Sequence, residues 1–259
     1  MNKLHKIAIV SGKGGVGKTT TTINLGLALY KIGANVILLD GNITTPNLGL
    51  YVGVLKTPTT LNNALKGETH ISQAIYSHKS GLKIIPSDLA VDSIENINFR
   101  QIKKTILDLD RHANILLVDT AATLGSETQN ILNAVDEAIL VVNTDKGALA
   151  DALRTVAVCK KLKVPIIGVI VNKVKKRLNK KRIEDFLGIP IIGAIKHDEK
   201  FVKTTEKGKI YLETYLNTNV NRYFEVAKKF LGPSYGKKLE KQNKQSLFRY
   251  MLKQIGLAK

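Results

Sequence analysis

The chain has 259 residues, 44% hydrophobic and 24% charged, enough to bury one sizeable core and too ordinary for a disordered, collagenous or disulfide-stapled protein. Lysine and arginine outnumber aspartate and glutamate 40 to 21, and the resulting charge of +19 favours polyanionic partners such as nucleic acid, anionic lipid or phosphorylated ligands. The single cysteine, Cys159, excludes an internal disulfide, a four-cysteine zinc site and a CxxC-built cluster, and it fits a reducing cytoplasm. No apolar run approaches the ~20 residues of a membrane span. Residues 1–6 lead into a strand-like run without a signal-peptide layout, so any membrane contact is expected to be peripheral.

Short apolar runs predict strands over 7–10, 36–39, 82–85, 115–118, 138–142, 166–171 and 189–192. Segments of helical period fall between or after them, over 18–32, 98–110, 126–135, 147–161, 179–187 and 217–231. Near-continuous hydrophobic strands alternating with helices predict a doubly wound α/β domain, a mostly parallel sheet with helices on both faces. Ligands of such sheets bind beyond the carboxyl ends of the strands. The composition shifts after Gly232-Pro233, which predicts three parts: a domain over 1–231, a basic linker over 232–245 and an amphipathic helix over 246–259.

The first strand runs straight into Gly12-Lys-Gly-Gly-Val-Gly-Lys-Thr19, the pattern G-x-x-x-x-G-K-[ST] in its required setting of strand, loop and helix. The glycines let successive backbone N–H groups turn toward one anion, and the helix that follows presents its unpaired amides and positive dipole end. Gly12, Lys13, Gly14, Gly15, Val16, Gly17, Lys18, Thr19 and Thr20 are therefore the candidate nucleotide-binding residues. Lys18 is placed to reach the β and γ phosphates, and Thr19 supplies a hydroxyl for Mg²⁺. Ile115-Leu-Leu-Val-Asp119 has the Walker B form, an apolar strand ending in a carboxylate, and Asp40 ends the second strand in the same way.

The second lysine of the loop, Lys13, gives KGGVGKTT over residues 13–20, which resembles the deviant Walker A signature of the MinD/ParA family of ATPases. The likeness is greatest to the MinD-type positioning ATPases and extends over roughly residues 6–231, with Asn24-Leu25, Gly33 and Asn47-Leu-Gly-Leu50 as further landmarks. The resemblance implies the P-loop NTPase fold, ATP and Mg²⁺ as ligands, with Thr19, Asp40 and Asp119 as the candidate metal residues, and a homodimer that closes on ATP with Lys13 reaching the partner's phosphates. It also implies an adenine contact by Asn172, and it places Asp145 near the ribose.

The sequence departs from the family pattern at three places. Leu39-Asp40-Gly41-Asn42 stands where the family reads D-x-D and uses the second aspartate on the attacking water. An amide can orient a water but cannot accept its proton, and general-base assistance is worth ~10²- to 10⁴-fold. Lys13, Lys18 and Asn42 are accordingly the candidate catalytic residues of a slow ATPase. Asp119-Thr-Ala-Ala-Thr-Leu-Gly125 lacks the proline and glycine of D-[ST]-P-A-G, and Lys196 replaces the proline of I-P-x-D.

Leu247, Phe248, Met251, Leu252 and Ile255 fall within an arc of about 140° at ~100° per residue. Residues 232–259 carry seven basic residues and one Glu, so this stripe reads as a helix for docking on its own domain or a partner or for an anionic membrane surface, and the resemblance to MinD proteins implies the membrane. Residues 173–182 carry seven basic side chains in ten, a patch that suits nonspecific binding to DNA phosphates. The leading expectation is a cytoplasmic, peripherally membrane-bound ATP switch of MinD type that positions a partner complex, with an activator or cargo protein as its partner. A ParA-like DNA-partitioning ATPase and a hydrolysis-deficient ATP-binding scaffold are the alternatives.

Overall fold

The structure is a computed structural model that describes residues 4–175 and 177–231. The linker and amphipathic helix expected over 232–259 lie outside the described residues.

Strands β1 (His5–Val10), β2 (Val36–Asp40), β5 (Ile115–Asp119), β6 (Glu137–Val142) and β7 (Ile166–Val174) form the centre of an eight-stranded sheet. The two-residue β3 (Tyr76–Ser77), β4 (Lys83–Ile85) and β8 (Ile191–Lys196) complete it in the order β3-β4-β2-β5-β1-β6-β7-β8. Every neighbouring pair is parallel except β3 and β4. The five residues of β2 and of β5 are all buried, as expected of strands covered on both faces.

Alternate strand residues feed two separate cores. Ile7, Ile9, Leu38, Leu117, Ile139 and Ile170 face one side, under α1 (Lys18–Lys31), α2 (Leu48–Val52), α9 (Tyr211–Thr214) and the helix over 218–231, here α10. Ala8, Val10, Leu39, Val118, Leu140 and Val171 face the other, under α3 (Leu61–Lys66), α4 (Ile102–Leu107), α5 (Ser126–Leu132), α6 (Lys146–Lys161) and α7 (Lys180–Leu187). In α6 the buried residues are Ala148, Ala152, Thr155 and Cys159, one face at steps of four, three and four. The helix starts on Asp145, whose carboxylate accepts the Ala148 N–H at 2.9 Å.

Several elements differ from the sequence expectations. The helix expected over 98–110 is the shorter α4, entered through a 3₁₀ turn at Phe99–Gln101. The strand expected over 189–192 is β8, displaced to Ile191–Lys196 because Pro190 precedes it, offering only its carbonyl, which accepts from Val169 N at 2.9 Å. Helices α2, α3, α8 (Lys200–Glu206) and α9 were not expected; each has seven residues or fewer, too few for a periodic pattern. Among the described residues no helix is long and apolar enough to cross a membrane.

His78 anchors the β3–β4 edge to α2. Its Nδ1 accepts the Ser80 N–H at 3.1 Å and its Nε2 lies 3.1 Å from the Val52 carbonyl, a pairing that requires the neutral Nε2–H tautomer. Burial pulls its pKa below the ordinary value, against the opposing pull of Glu213. The unfolded chain therefore takes up this proton first, so the stabilisation is fully present above the free-imidazole pKa of about 6.5 and is lost as the pH falls below it. Urea denaturation at pH 7.5 and 5.5 should show wild type losing more stability on acidification than His78→Gln; equal losses would contradict this.

Candidate functional site

The carboxyl ends of β1, β2, β5 and β7 meet at one edge of the sheet, and the loop from β1 to α1 lies across them. Glycine is required at two of its positions. At Gly12 a Cβ would sit 2.1 Å from the Asp151 carbonyl oxygen, so this end of the loop packs directly on the α6 backbone. Gly17 has φ of +98°, and a Cβ there would lie 2.2 Å from Asn172 Nδ2. The amides of the first turn of α1 have no partner within the helix and open toward the cavity end.

Lys18 is 7% exposed, and its Nζ donates to Ser11 Oγ at 2.9 Å. Burial pulls its pKa below the usual ammonium range, and the charge of Asp119 opposes that pull. Asp40 and Asp119 are opposite one another in the β2–β5 register, both without solvent exposure. Asp119 Oδ2 accepts from Thr19 Oγ1 at 2.5 Å, and its Oδ1 accepts from Thr22 Oγ1 at 3.3 Å. Asp40 accepts three backbone N–H groups, from Leu48 at 2.9 Å, Asn47 at 3.1 Å and Asn42 at 3.2 Å. Burial first, and then the charge of Asp119, push Asp40 well above the usual carboxylate range. Burial raises Asp119 to about 6, against the hydrogen bond from Thr19 and the charge of Lys18.

Two like charges buried side by side at strand ends are stabilised by a cation. A hydroxyl and two carboxylates form an oxygen-only donor set suited to Mg²⁺, which takes its remaining ligands from water and phosphate. The described residues hold no group of three or more His, Cys, Asp or Glu side chains arranged for a metal.

A cavity of about 400 Å³ opens over this edge. Of the sequence candidates, Gly15, Gly17, Lys18, Thr19, Thr20, Asn42 and Asn172 line it. Asp40 and Asp119 lie buried behind Thr19, and Lys13 stands outside the lining, with its Nζ 3.4 Å from Asp145 Oδ1. Both side chains of that pair are about half exposed (50% and 51%), and such surface pairs contribute only ~0–1 kcal/mol, so Lys13 is readily released. Asn42 turns inward on its own loop: Nδ2 donates to the Thr45 carbonyl, and Oδ1 accepts from Thr45 Oγ1 at 3.0 Å. Asn172 Nδ2 donates to the Val16 carbonyl at 2.8 Å, and Lys173 Nζ donates to that of Gly15 at 2.7 Å.

Sequence reasoning missed Tyr51 of α2, and Phe201, Val202 and Thr205 of α8, which close the far wall of the cavity. These short helices leave no signal of their own. Lys173, the first residue of the basic run, also lines the cavity, and its left-handed φ of +54° sits where the β7–β8 register shifts.

A strand that runs into a glycine-shaped anion loop, a buried lysine on the first turn of the next helix, and paired carboxylates at adjacent strand ends define the P-loop NTPases. The chain belongs to the ParA family: the family model described as NUBPL iron-transfer P-loop NTPase matches residues 2–231. The iron-transfer part of that description has no exposed thiolate to rest on, since Cys159 is buried in α6 and burial pushes its thiol up to about 11. An uncharacterized ATP-binding protein of Methanocaldococcus jannaschii is 33% identical over 95% of this chain and 94% of its own length. The cell division ATPase MinD of Pyrococcus furiosus has a similar structure, with a TM-score of 0.83 at 28% identity over 87% of this chain and 98% of that one. The septum site-determining protein MinD of Pyrococcus horikoshii, complexed with Mg-ADP, aligns with a TM-score of 0.82 at 28% identity, over 88% of this chain and 96% of that one.

The buried carboxylate pair makes a stability prediction. Asp119→Asn removes one of two adjacent buried charges, and the ligand-free variant is expected to melt about 2–4 °C higher, equivalent to ~1 kcal/mol. A lower melting temperature in thermal denaturation without nucleotide or metal would contradict this.

Proposed function

We propose that the protein is an ATP-dependent dimerisation switch of MinD type that binds ATP with Mg²⁺, hydrolyses it slowly and positions a partner complex from a membrane surface. The observation that carries this reading is the placement of Lys18 and Thr19 in the cavity wall beside the glycine loop, with Asp119 hydrogen-bonded to Thr19 and Asp40 paired with Asp119 directly behind them. In it, the backbone from Gly12 to Thr20 holds the phosphates and Lys18 neutralises the β and γ groups. Thr19, Asp40 and Asp119 hold the ion and its waters. The bound ion supplies charge neutralisation to the transferring phosphoryl group. Asn172 has committed its Nδ2 to Val16, so its amide oxygen is the atom offered to the exocyclic amine of adenine, a donor that guanine lacks at that place.

Asn42 gives the reading its expected rate. Both polar atoms of its side chain serve Thr45, and no carboxylate stands at that position to accept a proton from water. Lys13, loosely paired to Asp145, is free to leave for the phosphates of a second copy. Two C-terminal segments on one dimer make the second membrane insertion intramolecular, which raises avidity by ~10²- to 10⁴-fold when both reach the bilayer. A second reading, nonspecific DNA binding, rests on the exposed Lys173, Lys175, Arg177, Lys180, Lys181 and Arg182, of which Lys173 lines the cavity.

Steady-state hydrolysis by wild type, Lys18→Ala and Asn42→Asp tests the site. Wild type is expected to turn over slowly, Lys18→Ala to lose at least ~10²-fold, and Asn42→Asp to gain about tenfold or more. A fast wild type indifferent to the Asn42 change contradicts the assignment. Light scattering with a non-cleavable ATP analogue should show a dimer that Lys13→Ala abolishes; co-sedimentation of that dimer with anionic vesicles supports the membrane reading, and with duplex DNA alone the second.

A further inference from the structure

Two loops meet at the phosphate end of the cavity. The loop after β2 contributes Asn42, Thr45 and Asn47 to its wall, and the segment after β5 contributes Thr120 and Ala122. Their bases are joined by a backbone bond, Gly41 N–H to the Asp119 carbonyl at 2.8 Å. A second tie is made by a side chain. Glu127, the second residue of α5, accepts the N–H of Ile43 and that of Thr44 (3.1 Å) on Oε1, and accepts the Thr44 hydroxyl on Oε2 at 3.2 Å. The same loop is pinned from below, because the buried side chain of Ile43 shares a core cluster with Ile131 of α5.

These are hydrogen bonds to an ionised acceptor, the strong kind, and they span more than eighty residues of sequence. They are also directional. A displacement of the segment from Asp119 to Glu127 carries the amides of Ile43 and Thr44 with it, and so the turn that Asn42 closes with Thr45. No proline fixes the course of residues 119–127, and the carboxylate supplies a constraint of a different kind.

We infer that Glu127 is a positioning residue that makes the loop after β2 and the segment after β5 respond as one body to the nucleotide, and thereby sets the hydrolysis rate. The inference rests on the nucleotide reading given above. Glu127 does not line the cavity, so its loss should change turnover and leave nucleotide affinity nearly intact.

The test compares wild type, Glu127→Ala, Glu127→Gln and Thr44→Val in full-length protein. Glu127→Ala is expected to lower kcat about tenfold to a hundredfold while the ATP Kd shifts by no more than about twofold. Glu127→Gln keeps an acceptor for both amides and is expected to recover most of the rate. Thr44→Val, which removes only the exposed hydroxyl contact, should fall between them. Hydrogen exchange supplies a readout independent of turnover: the amides of Ile43 and Thr44 should exchange faster in Glu127→Ala without ligand, and protection gained on adding Mg-ATP should reach residues 42–47 in wild type but stop within 119–127 in the variant. Unchanged kcat and unchanged exchange at Ile43 and Thr44 overturn the coupling alone. A wild type that shows no response to ATP overturns the nucleotide reading and the coupling together, a distinguishable result.

Discussion

Charge held out of water at the ends of adjacent strands is the constraint around which this molecule is organised. Asp40 and Asp119 end β2 and β5 side by side without solvent exposure, and Lys18 stands nearby, nearly as deep. Burial raises the pKa of both carboxylates and lowers that of the lysine, so each group pays a desolvation cost in the ligand-free protein. Three backbone N–H groups on Asp40 and two hydroxyls on Asp119 offset part of that cost. A divalent cation beside the carboxylates and a polyphosphate beside the lysine would offset the rest. The fold thus stores unmatched charge at the place where an ion paired with a phosphate chain has matching charge.

The two ends of the cavity are mechanically linked through the glycine loop. Asn172 and Lys173, at the end of β7, donate to the carbonyls of Val16 and Gly15, and Gly17 leaves room for the Asn172 amide where any side chain would collide with it. On the opposite flank Gly12 rests on the backbone of α6, the helix whose cap, Asp145, holds Lys13. The loop therefore has neighbours on both sides, the end of β7 on one and the start of α6, where Asp145 pairs with Lys13, on the other.

Much of this was legible in the chain itself. Unbroken apolar runs located the five central strands because strands buried on both faces have no polar alternation to obscure them. The spacing of Gly12, Gly17, Lys18 and Thr19 after the first strand located the loop, and the apolar strands ending in Asp40 and Asp119 located the carboxylates. What escaped was either short or distant. Helices α2, α8 and α9 are too brief for periodicity, the two-residue β3 is set by pairing with β4, and β8 begins later than its apolar run because of Pro190. Asn42 was expected to face a water, yet Thr45, three residues on, captures both ends of its amide. No local pattern could announce that Glu127 would close on Ile43 and Thr44.

Isothermal titration of ATP into the protein, once with Mg²⁺ and once with EDTA, tests most directly whether the buried charges form one site for an ion and its nucleotide. The account predicts saturable one-to-one binding that weakens at least tenfold, or ~1.4 kcal/mol, when the metal is removed. Equal affinity in both titrations, or no heat of binding in either, would contradict it.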